Sequence, residues 1–93
     1  MIPKTIKILG REYKIRRKRM KKAEWAFCED DTATIWMRSG IKGETAEQTL
    51  LHEVIHALLF RSGHKFDMTP GQEEAIVRAM ESGLWDAGYR LSE

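Results

Sequence analysis

Ninety-three residues, 42% of them hydrophobic and 32% charged, make one small domain, residues 1–93, since one core is expected per roughly 100 to 200 residues. That composition excludes a disordered or collagenous chain. Apolar runs such as Ala57-Leu58-Leu59-Phe60 are far short of the roughly 20 residues that span a membrane, and no signal segment opens the sequence, so a cytoplasmic protein is expected. The net charge of +2 conceals an asymmetry: residues 1–22 hold ten Lys or Arg against Glu12 alone, and residues 23–93 hold six against thirteen acids. A single cysteine, Cys28, leaves no internal disulfide and no Cys-x-x-Cys pair, so any metal site must use histidine and carboxylate.

In chain order, Ile6 and Ile8 alternate with Lys7, and Tyr13 and Ile15 alternate with Lys14, the period of half-buried strands. Residues 4–9 and 12–17 are expected to form a hairpin around Leu9-Gly10-Arg11. Next come Lys14, Arg16, Arg17, Lys18, Arg19, Lys21 and Lys22, either a nucleic-acid footprint or a solvated strand face, with no aromatic residue interleaved in the sequence to stack bases. A second hairpin is expected from 24–28 and 32–37, with Glu29-Asp30-Asp31 as the turn. The front, about 4–38, is thus a small antiparallel sheet of two hairpins. Trp25, Trp36 and Trp85 are the large residues available to fill a small core, at least two of them in it. Cys28 is expected to be a small packed residue.

After Gly43 the period becomes helical. Thr45, with Gln48 three residues on, suggests a capping box, and Leu51, Val54, Ile55, Leu58 and Leu59 recur at helical spacing to Gly63. The helix is placed at about 45–62. A second, at about 70–89, has Thr69 as cap, Pro70 at its first position and Gln72 at its third, and should turn Ile76, Val77, Met80, Leu84 and Ala87 inward. The fold class is therefore α+β, a small sheet followed by two packed helices.

The first helix contains His52-Glu53-Val54-Ile55-His56. Residues four apart share a helical face, so both imidazoles can meet one Zn²⁺ at about 2.0 to 2.1 Å. Glu53, offset by roughly 100°, falls beside the ion, where a general base can take a proton from a metal-activated water. A catalytic zinc has three protein ligands, and His-Glu-x-x-His supplies two. His64 lies past the Gly63 turn that carries the chain away, and is read as a surface residue. The pair Glu73-Glu74 opens the second helix and can point back at the first, while Glu81 and Asp86 read as solvated helix charges.

These features resemble the gluzincins, zinc metallopeptidases with a third glutamate ligand on the helix after the His-Glu-x-x-His helix. Residues 49–60 followed by 73–80 look more closely like small phage- and prophage-encoded metallopeptidases, similar in turn to the ImmA/IrrE-type family. That family's Glu-Ala-x-x-x-Ala pattern is matched by Glu74, Ala75 and Ala79. The resemblance implies a minimal zincin-like domain that hydrolyses a protein or peptide substrate, with His52, His56 and Glu74 on Zn²⁺ and Glu53 as base. Helical phase alone leaves Glu73 open as the third ligand. Zincin-like peptidases hold substrate along an edge strand, here expected to be Thr32–Met37, with Trp36 or Met37 lining a pocket and Ile35 in the core. Tyr13 or Tyr89 is a candidate to assist the oxyanion. The competing function is a zinc-stabilised binding protein, without catalysis, whose basic hairpin contacts nucleic acid or an acidic partner.

Overall fold

The computed structural model describes residues 2–91. Strand β1 (Thr5–Ile8) turns into β2 (Arg11–Lys18) through Leu9 and Gly10, both at positive φ, 47° and 85°. Two consecutive left-handed residues match the right-handed twist of a hairpin, and glycine takes the second position without strain. Strand β3 (Ala26–Glu29) leads through a 3₁₀ turn at Asp30–Thr32 into β4 (Thr34–Arg38).

Both expected hairpins form, but they do not build an antiparallel sheet. The order is β1-β2-β4-β3, and β2 pairs with β4 in parallel, from Lys14 opposite Thr34 to Lys18 opposite Arg38. The strand expected at the edge, Thr32–Met37, is therefore interior. The reason is burial: Ile35 and Met37 are fully enclosed, so β4 takes a place with a neighbour on each side, while four-residue β3 takes the edge.

Helix α1 (Gly43–Ser62) begins two residues before Thr45, its N-cap being Lys42 without a side-chain bond. Gly43, at φ +64°, lets the backbone turn early, and Gln48 is used elsewhere. Ala46, Leu50, Val54 and Ala57 pack on Ile8, Tyr13, Ile35 and Met37 of the sheet, and Leu51 and Ile55 face the opposite way. A helix apolar on most of its circumference belongs in the middle.

Helix α2 (Pro70–Asp86) opens with the expected capping box: Gln72 N–H donates to Thr69 Oγ1 at 3.1 Å, and Thr69 N–H to Gln72 Oε1 at 2.9 Å. It ends three residues short of Tyr89. Of the five residues expected inward, only Val77 is buried, against Leu51 and Ile55, with Leu84 half-buried beside it. Ile76, Met80 and Ala87 are exposed. The inward stripe is Glu73, Val77, Glu81 and Leu84, half of it polar, because the helix leans on a polar site and not only on a core. The tryptophans do not fill the core either: Trp25 is exposed, while Trp36 and Trp85 are half-buried. No helix among the described residues is long and apolar enough to cross a membrane.

Candidate metal centre

His52 and His56 lie on the side of α1 that faces α2, a position their four-residue spacing makes common to both. Their Nε2 atoms are 3.2 Å apart. From the first turns of α2, Glu74 brings Oε1 to 3.0 Å from His52 Nε2 and Oε2 to 3.6 Å from His56 Nε2. Glu73 instead meets the other side of the ring, its Oε2 2.5 Å from His56 Nδ1. Glu81 does the same for His52, with Oε1 2.6 Å from Nδ1, and its second oxygen accepts from Gln48 Nε2 at 2.8 Å. Glu81 is thus not the solvated charge expected from sequence: its side chain is only 17% exposed.

These contacts set the tautomers. A ring whose Nδ1–H donates to a carboxylate presents a bare lone pair at Nε2. With both rings neutral in that tautomer, two such lone pairs and the Glu74 oxygens converge on one point, an arrangement that suits a cation. The separations fit zinc: two ligands at about 2.05 Å in a tetrahedron are about 3.3 Å apart, against 3.0, 3.2 and 3.6 Å observed. Among the described residues, His52, His56 and Glu74 are the group whose ligand atoms converge, all within 4.8 Å.

Comparison with protein-family models, curated proteins and solved structures finds no match.

Glu53 is 8% exposed and stands outside the converging group. Burial pushes its carboxyl pKa up, an effect that the nearby His56 and His52 oppose and Glu74 and Asp30 reinforce. It lines two adjoining clefts. One, of about 600 Å³, is bounded by Trp25 and Ala26 at the free edge of β3, by Gln48 and His52 on α1, and by Glu74 and Arg78 on α2. The other, of about 370 Å³, reaches Cys28, Asp30 and Lys65. Strand β3 thus occupies the place beside the site that sequence assigned to Thr32–Met37, and neither Trp36 nor Met37 lines a cleft.

The remaining candidates separate cleanly. Tyr13 is fully buried and donates to Asp30 Oδ1 at 3.0 Å, while Tyr89 is exposed beyond α2, and neither lines the clefts. Cys28 packs half-buried against the core and donates to the same oxygen at 3.2 Å, with burial and the Asp30 bond both raising its pKa. It lies outside the converging group. His64 is exposed, its Nδ1 3.0 Å from Ser62 Oγ, and Asp86 is exposed as expected. Lys65, whose Nζ is 3.8 Å from Asp30 Oδ2, is a cleft residue that sequence reasoning missed. Nothing local marks a lysine in a turn as facing a site thirteen residues upstream.

Proposed function

We propose that the protein is a zinc-dependent endopeptidase of gluzincin type. The convergence of His52, His56 and Glu74 beside the buried, unligating Glu53 supports this reading, as does the resemblance of both helix motifs to small metallopeptidases. Zinc held by those three residues would supply Lewis acidity, polarising a carbonyl and acidifying water. Glu73 and Glu81 hold the imidazoles in the ligating tautomer and orientation. Glu53 takes a proton from the attacking water and returns it to the leaving amine, a task helped by burial, which raises its pKa above the usual carboxylate value. An extended substrate adds to the free edge of β3, which offers main-chain hydrogen bonds along the cleft. A reducing cytoplasm suits the lone thiol of Cys28.

A purely structural zinc would be closed off by four protein ligands. Among the described residues three converge, and a wide cleft opens next to them. The test pairs two variants. Reconstituted protein should bind one zinc per chain and lose it in His52→Ala, whereas Glu53→Gln should keep zinc and fold yet hydrolyse a peptide library at least about 10²-fold more slowly. A parent that binds no zinc, or a Glu53→Gln variant as fast as the parent, overturns the proposal.

A further inference from the structure

The face of the sheet turned away from α1 carries a pattern that the linear sequence hides. Strand alternation puts Ile15 and Ile35 on the helix side, so Lys14, Arg16 and Lys18 of β2 point outward together, and all three are exposed. Their positions two apart give a row of cations spaced by roughly 6.6 Å. The parallel register sets Arg16 beside Trp36, and the β3–β4 register sets Trp36 beside Phe27. The rings of Trp36 and Phe27 therefore lie next to the basic row although both are remote from it in sequence. Lys18 Nζ rests 4.8 Å from the Trp36 ring centroid and 4.9 Å from that of Phe27. Among the described residues, no ion pair engages Lys14, Arg16 or Lys18. Two acids share this face: Glu12 near the β1–β2 turn, and Glu29 at the end of β3, whose carboxylate is held below its usual pKa by Thr32, by Trp36 and by the charge of Lys18.

Three cations in line, none of them in an ion pair, beside two half-buried rings suit a partner that has both repeated negative charge and flat π faces. An acidic peptide has the first only, and duplex DNA keeps its bases stacked inside. We propose that this outer face binds single-stranded nucleic acid, with phosphates following Lys14, Arg16 and Lys18 and bases stacking on Phe27 and Trp36, where the Lys18 ammonium now lies. The face lies on the side of the sheet away from the candidate metal centre, although Phe27, on the edge strand, also borders the smaller cleft.

Arg17 is not part of it. Its Nη1 donates to the carbonyls of Arg38 and Ile41 at 3.1 and 2.7 Å, tying β2 to the entry of α1, so its replacement would disturb the fold.

The probe is a fluorescein-labelled oligothymidine of about 15 nucleotides, a length such surfaces cover, read by anisotropy on the zinc-loaded full chain. Binding should weaken steeply with salt, and Arg16→Gln with Lys18→Gln should lower the slope of log K against log salt by about 1.4, from roughly 0.7 per lost phosphate contact. Phe27→Leu and Trp36→Leu keep every charge and should each weaken binding at least about fivefold, the loss of one stacked base. Unchanged melting of Arg16→Gln and Lys18→Gln, both surface changes, controls for folding should a ring variant fail. No binding at low salt overturns the proposal. So does equal affinity for a duplex of the same length, competition by polyglutamate at matched charge, or preference for anionic lipid vesicles, each naming a different occupant.

Discussion

Helices α1 and α2 both furnish the candidate metal centre, but they are held in opposite ways. Helix α1 lies between the sheet and α2, with seven buried residues from Ala46 to Ala57. Helix α2 has two, Glu73 and Val77, and only Val77 is apolar. What α2 lacks in apolar contact it makes up in polar contact with α1: Glu73 to His56, Glu74 to both rings, and Glu81 to His52 and Gln48. The histidines are therefore set by the core, while the carboxylates are set by the histidines. A bound cation would join the weakly anchored helix to the firmly anchored one, and in so small a domain its contribution would count as folding energy.

The contrast breaks most visibly in the cores. Leu50→Ala empties a fully enclosed site between α1 and the sheet and should cost about 2–5 kcal/mol, whereas Val77→Ala, at the single apolar anchor of α2, should cost roughly 2 kcal/mol. Denaturant melts of the metal-free protein give both values, and equal losses would mean that α2 is held as firmly as α1.

Zinc affinity sharpens the contrast at the next level. Glu73→Gln and Glu81→Gln disturb only the orientation of a ring and should weaken zinc about 10- to 100-fold. Glu74→Ala removes a proposed ligand and should weaken it more than either. Competition titration with a chromophoric chelator reads the order, and a larger effect for Glu73 would exchange the roles of the two neighbours.

The smallest effect concerns Glu53 itself. A carboxyl with a raised native pKa is more readily ionised in the unfolded chain, so it lowers stability as pH climbs above the ordinary value of about 4.3 and has no such effect below it. Metal-free Glu53→Gln should accordingly melt higher than the parent at neutral pH, and the difference should close as the solution is acidified through the carboxylate range. A parent that melts higher at neutral pH would mean that the buried carboxylate is stabilised by partners rather than strained by burial.

Legibility in the sequence followed the distance between interacting residues. The Thr69–Gln72 box, the Leu9–Gly10 turn and the His52–His56 pair are readable because each is decided within four residues, whereas the equally local Thr45–Gln48 box does not form, since Gly43 at positive φ starts α1 earlier. The parallel docking of β2 on β4 joins residues twenty positions apart, such as Lys14 and Thr34, and nothing local distinguishes it from an antiparallel meander. Glu81 was missed for a different reason. An apolar stripe is a guide to the inward face only where the neighbour is apolar, and α2 turns Glu73 and Glu81 inward and leaves Ile76 and Met80 in solvent. The same rule misplaced the tryptophans, which border the cleft, the outer sheet face and the second cluster rather than the main core.

The β2–β4 register locks two surfaces at once. Because side chains alternate, a slip of one position would carry Arg16 and Lys18 into the apolar layer and push Ile15 out. Any pairing error is thus penalised from both sides of the sheet, by buried charge on one and by exposed aliphatic surface on the other. A single-residue deletion within Arg11–Lys18 would scramble the cationic row and the packing under α1 together, so the two faces can only be altered by substitution, position by position, and never by shifting the strand.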